Sequence, residues 1–185
     1  MLNIENIINN YILDLNNNEE EIIITFLNNK IENNNNLLFY QRYITENYLD
    51  NITTFLNKNN YTKSTNIILE SKFEDKVKYH YNNINENSYY KQNILNFETV
   101  DNIIIYKQKQ KIIEPTMFPN VVKYTKYEQI SFNNDNINII LKKYNINNLN
   151  NKWFYEIIIN NKNNSCIEIN KIIEIVDYFK KLYIF

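Results

Sequence analysis

The sequence predicts an α+β fold: an antiparallel β-barrel with flanking helices at both ends of the chain. Three observations carry this expectation. Apolar residues recur at helical spacing near both ends. Between them runs a succession of β-branched and aromatic segments. Asparagine-rich breaks, short enough to be turns, separate those segments. Consecutive strands joined this way form a meander, and closing it into a barrel removes its exposed edges.

Taken in order, residues 2–15 read as an amphipathic helix, with Ile4, Ile8, Ile12 and Leu15 at matching intervals. Glu21–Leu27 (EIIITFL) is a strand by its β-branched run. Asn33–Asn36 is a turn, and Leu37–Tyr43 is a strand or a lead-in. Thr45 is the expected N-cap of a second helix that carries Tyr48, Leu49, Ile52, Phe55 and Leu56 and ends near Asn59. Strands then follow at 66–73, 76–81, 121–132, 136–143 and 153–160, with 99–113 as two strands or one bent strand. Pro115 and Pro119 mark a loop, and Asn133–Asp135 a turn. Residues 169–182 return to helix through Ile172, Ile173, Val176 and Phe179.

The 185 residues fit a single domain, 1–185, with enough chain for a real core. Sixteen Tyr and ten Phe, beside abundant Ile, supply the apolar surface that ordering requires. A net charge of −1 gives no general drive toward nucleic acid or membrane, so recognition must come from a local cluster. The lone Cys166 excludes an internal disulfide and fits a reducing, cytoplasmic setting. No signal-peptide pattern opens the chain, and no run approaches the roughly 18 apolar residues of a membrane span.

The chain has no Gly and no Ala. Turns needing positive φ must therefore use Asn or Asp. Glycine-dependent phosphate loops and dinucleotide fingerprints are excluded. One His and one Cys leave little for zinc. The available chemistry is that of carboxylates, lysines and a divalent ion with oxygen ligands, Mg²⁺ or Mn²⁺.

Three constellations stand out. Lys107, Lys109 and Lys111 alternate, which puts them on one face of a strand roughly 7 Å apart, as a solvated face or a phosphate-binding wall. Lys123 and Lys126 fall on opposite faces of an unbulged strand, near Lys142 and Lys143, so at most one of the first two joins such a wall. On the acidic side, Glu19, Glu20 and Glu21 lead into a strand, while Glu70 and Glu156 sit inside apolar strands where a carboxylate needs solvent, a lysine or a metal.

The order of elements, with EEEIIITF, YKQKQK, VVKYTKYEQISF and YEIII in sequence, resembles the tunnel-type metal-dependent RNA 5′-triphosphatases, including those of poxvirus and baculovirus capping proteins. The resemblance spans about residues 1–185. It implies an eight-stranded antiparallel tunnel that hydrolyses the γ-phosphate of RNA 5′-triphosphate ends in mRNA capping. It implies Glu19, Glu21 and Glu156 as catalytic and metal-holding residues for Mg²⁺ or Mn²⁺. Lys107, Lys109, Lys123 and Lys126 take the phosphate-binding positions, with Lys111 continuing their wall. The partners implied are an RNA 5′ end or nucleoside triphosphate and a capping or transcription protein, with no membrane, in the cytoplasm or a virion. The second position after Glu156 is Ile158, where the family has a second Glu. That departure keeps open a non-catalytic subunit of a viral transcription or capping assembly. A single-strand nucleic-acid binder using Tyr and Phe as stacking platforms is the third reading.

Overall fold

The structure, a computed structural model, describes residues 3–15, 20–27, 42–73, 77–82, 88–112, 121–134, 136–144, 152–160 and 167–182. In chain order these form helix α1 (Ile4–Leu13), strand β1 (Glu20–Phe26), strand β2 (Tyr43–Thr45), a 3-10 turn (Glu46–Tyr48) and helix α2 (Leu49–Lys58). Strands β3 (Thr62–Phe73), β4 (Val77–Asn82), β5 (Ser88–Val100), β6 (Ile103–Ile112), β7 (Val121–Asn134), β8 (Ile137–Tyr144) and β9 (Lys152–Asn160) follow, and helix α3 (Ile169–Lys181) comes last. The α+β class is as expected. The turn at 33–36, the segment up to 41, the proline loop and Cys166 lie outside the described residues.

Local chemistry explains the boundaries. Asn3 caps α1 by accepting the Glu5 N–H at 3.2 Å, and the helix buries Ile4, Ile7, Ile8 and Tyr11 along one stripe. Thr45 does not cap α2. It belongs to β2 opposite Lys152, makes no side-chain cap bond, and a 3-10 turn redirects the chain before Leu49. At the other end of α2, the Asn59 amide donates to the Phe55 carbonyl at 3.0 Å, and Asn60 takes a φ of 64°. Asp101, at φ 53°, turns β5 into β6, so 99–113 spans the end of one strand and the whole of the next. Asn and Asp thus do what glycine does elsewhere. Residues 88–98, assigned to no element from sequence, form most of β5.

The strands make one sheet in the order β1-β6-β5-β4-β3-β7-β8-β9-β2, and β1 pairs with β9 as well as with β6. Every strand pairing is antiparallel. One face, bearing Ile22, Ile24, Phe26, Ile105, Phe132, Leu141 and Ile157, packs against Ile7 and Ile8 of α1, Ile52 and Leu56 of α2, and Ile172 and Phe179 of α3. Tyr155 sits at its centre, stacked on Phe179 at 4.7 Å and tilted against Phe26 at 5.3 Å. No helix among the described residues is long and apolar enough to cross a membrane.

Candidate functional site on the face away from the helices

Side chains alternate along a strand, so residues in phase with Ile22 and Ile24 face the helices and those in phase with Ile23 face away. On β1 the second set is Glu21, Ile23 and Thr25. Register carries the set sideways: Glu21 stands opposite Gln108 on β6 and Asn160 on β9, and Ile23 opposite Tyr106 and Ile158. Glu156 shares the phase of Ile158 and stands opposite Ile140 on β8. On β8 and β7, Lys142 pairs with Gln129, and Tyr144 with Tyr127. Glu70 on β3 follows opposite Thr125.

The centre of this face is an ion pair. Lys142 Nζ donates to Glu156 Oε2 at 2.8 Å, while 20% and 19% of the two side chains stay accessible. Nζ also lies 6.0 Å from the centre of the Tyr127 ring. Tyr127 and Tyr144 pack at 5.2 Å, and Tyr144 meets Phe154 edge-on at 5.7 Å. Burial alone would lower the Lys142 pKa. The Glu156 carboxylate, with Tyr144 and Tyr127, outweighs burial and holds it well above the usual lysine range. Burial raises Tyr106 first, reinforced by Glu156. Burial also raises Tyr127, with Lys142 opposing, and pushes Tyr144 up to about 12. All three are therefore neutral hydrogen-bond donors at neutral pH. Glu21 Oε2 accepts from Gln108 Nε2 at 3.2 Å. The buried amide oxygens of Asn66 and Asn138, in the same phase, find no donor among the described residues.

The structure separates the residues proposed from sequence. Glu21 and Glu156 share the face but not a rung. Glu21 pairs with Asn160, four residues along β9 from Glu156, or about 13 Å, with Ile23 and Ile158 between them. Glu19 lies outside the described residues. Lys107, Lys109 and Lys111 alternate on one face as expected, but that face is the helix side: Lys107 pairs in register with Ile22, and Lys109 with Glu20. Lys107 is buried, ion-paired to Glu20 at 3.0 Å and bound to the Asp14 carbonyl at 2.6 Å, while Lys111 is exposed. Lys126 is also exposed and in phase with the helix-packed Ile130 and Phe132. Lys123 holds a register position on the face of Glu156, opposite Lys72, and its side chain lies outside the described set. These lysines therefore do not assemble one wall with Glu156.

Sequence reasoning named Lys142 only as a neighbour of Lys123 and Lys126 and gave no role to the three tyrosines. The available clue was phase: Lys142 alternates with Ile140 and Tyr144, whereas Lys143 alternates with Leu141. Choosing between adjacent lysines requires knowing which face is covered.

The described donors do not fit a divalent ion. Such an ion needs several oxygens at about 2.0–2.6 Å. Here Glu156 is neutralised by an ammonium, its next in-phase neighbour is Ile158, and Glu21 is too far along the sheet to share an ion with it. Among the described residues no three acidic, His or Cys side chains form a metal-holding group.

The fold of this chain is shared by solved RNA triphosphatases. The chain superimposes on the RNA triphosphatase domain of the trifunctional mimivirus mRNA capping enzyme with a TM-score of 0.60 and 15% identity, covering 95% of this chain and 94% of that one. The S. pombe Pct1 RNA triphosphatase gives 0.59 and 15%, over 87% and 78%. A chain of the S. pombe Mediator head module gives 0.56 and 6%, over 89% and 96%. Identities this low speak to fold alone. No protein-family model matches the sequence, and no curated protein matches it significantly.

Proposed function

We propose that the protein acts on the 5′-triphosphate end of RNA, removing the γ-phosphate in the step that prepares the end for capping. The single observation that carries this reading is the near full-length likeness to the mimivirus capping-enzyme triphosphatase. Pairing of β1 with both β6 and β9 supports reading the eight long strands as a barrel. The face of Glu156 is then its lumen. Partial accessibility of Lys142 and Glu156, beside the desolvation of Lys142 and the oxygens of Asn66 and Asn138 that find no donor among the described residues, suits a narrow wet interior.

In that lumen the Lys142 ammonium meets the charge that develops on the phosphoryl oxygens, and the neutral phenols of Tyr106, Tyr127 and Tyr144 donate to the same oxygens. Glu156 accepts from the attacking water and orients it. A divalent ion would supply further charge neutralisation. Since the described residues do not fit one, no step is assigned to it. The RNA end, a capping or transcription protein and an intracellular, reducing site of action complete the reading. One solved structure of Pct1 is in complex with the Spt5 CTD.

The test is release of labelled phosphate from triphosphate-ended RNA, with monophosphate-ended RNA as control. The parent chain is expected to release it, and Glu156→Gln to slow release about 100-fold while keeping the fold. A non-catalytic subunit is the second reading, favoured by the neutralised Glu156, by Ile158, and by the likeness to a chain of the Mediator head module. Stable co-purification with transcription or capping proteins, without phosphate release, would establish it instead.

A further inference from the structure

The Lys142–Glu156 pair has a geometry that conflicts with a metal centre on the same carboxylate. A divalent ion would approach a Glu156 oxygen to about 2.1 Å and recruit more oxygens around itself. Oε2 already accepts from Nζ at 2.8 Å. The in-phase neighbours are Ile140, Phe154 and Ile158, none of which carries a side-chain oxygen. The Tyr127 ring, 6.0 Å from Nζ, adds a cation–π contact to the ammonium. The carboxylate and the phenol rings beside it thus fit the ammonium that is there.

We propose that Lys142 is the resident cation of this site: its ammonium occupies, at Glu156, the position a divalent ion would need, so the site meets phosphate groups without a metal. The inference deepens the function proposed above by naming the positive charge of the same site. Its ligand class is a polyphosphate end held by a fixed ammonium and neutral phenols. Lys142 touches that ligand directly, and Glu156 both holds Lys142 and faces the water.

Mn²⁺ titration of metal-stripped protein, followed by the electron paramagnetic resonance of the free ion and by thermal unfolding, tests this without reference to activity. The parent is expected to show no Mn²⁺ binding that Glu156→Gln removes, and no upward shift of its unfolding midpoint with Mn²⁺. Lys142→Met uncovers the carboxylate. This variant should unfold at a lower temperature, gain Mn²⁺ binding, and regain part of its midpoint when the ion is added. The double variant Lys142→Met/Glu156→Gln should lose that rescue. Lys142→Arg should behave as the parent does. The proposal is overturned if the parent binds Mn²⁺ in a manner that Glu156→Gln abolishes, or if Mn²⁺ leaves folded Lys142→Met unchanged. Should Lys142→Met fail to fold, the parent and Glu156→Gln alone decide. Phosphate release is scored separately. Its absence alongside the expected Mn²⁺ results counts against the triphosphatase reading and leaves the assignment of Lys142 intact.

Discussion

Two lysine–glutamate pairs sit on opposite faces of one sheet. On the helix side, Lys107 and Glu20 meet at 3.0 Å with side chains only 9% and 10% accessible. Lys107 also donates to the carbonyl of Asp14, the C-cap residue of α1, where a cation complements the exposed carbonyls of the helix end. On the other side, Lys142 and Glu156 meet at 2.8 Å but stay about twice as accessible, among phenols rather than aliphatic side chains. The first pair is tied off with a backbone acceptor and clasps a helix to the sheet. The second faces polar groups that a ligand can reach. Similar chemistry serves stability on one face and recognition on the other, and what separates them is which lone pairs and protons the fold has already used.

Breaking the helix-side pair should have the largest effect on stability. Glu20→Ala leaves the Lys107 ammonium nearly dry, and removing one partner of a buried pair costs about 3–5 kcal/mol. Urea unfolding should show this loss, with phosphate release per folded molecule unchanged. Lys142→Met should cost less, about 1–3 kcal/mol, because part of the pair is already open to solvent. It should nevertheless abolish phosphate release. If the two variants exchange these phenotypes, the division of labour between the faces is wrong.

Alkaline titration sharpens the same contrast, because the large upward pKa shifts fall on the second face, while burial raises Tyr11 and Tyr178 of the helices less. Lys142 and the three tyrosines all have folded-state pKa values above their unfolded values. Each group therefore holds its proton longer when folded. Its stabilisation is fully present below pH 10 and is lost as pH rises from the unfolded value through the folded one. For Tyr144 that window runs from 10.0 to about 12. Stability should fall across it, and Tyr144→Phe should flatten the fall. Tyrosinate absorbance gives an independent reading, since one late-titrating phenol should vanish in the variant. An unchanged absorbance profile would show that Tyr144 is not held neutral by this face.

The helix-covered face was largely legible in the sequence. Ile172, Val176 and Phe179 at helical spacing, and Ile22 and Ile24 of the β-branched run, lie in the core cluster. Positive φ at Asn60 and Asp101 follows from a chain without glycine. The second face was less legible because its meaning depends on register. Glu21 and Glu156 both lie in apolar strands, yet only the pairing of Glu21 with Asn160 shows that they are four residues out of step. Strand β5 was missed because a register shift between Ile94 and Asn96 breaks the alternation that would have revealed it. The alternation of Lys107, Lys109 and Lys111 was read correctly, but periodicity does not say which side of a sheet the helices will cover.

That ambiguity yields the smallest and most discriminating prediction. Lys111 is exposed and in phase with Lys107 on the helix side, away from Glu156. An exposed lysine without a buried partner changes stability by no more than about 0.5 kcal/mol when truncated. Lys111→Ala should therefore leave both unfolding and phosphate release at parental values, whereas a phosphate wall of alternating lysines requires it to weaken RNA-end binding. A clear loss of binding in this one variant would place the ligand on the opposite side of the sheet. It would then be the Lys142–Glu156 pair, not the Lys107–Glu20 pair, that serves mainly to hold the fold together.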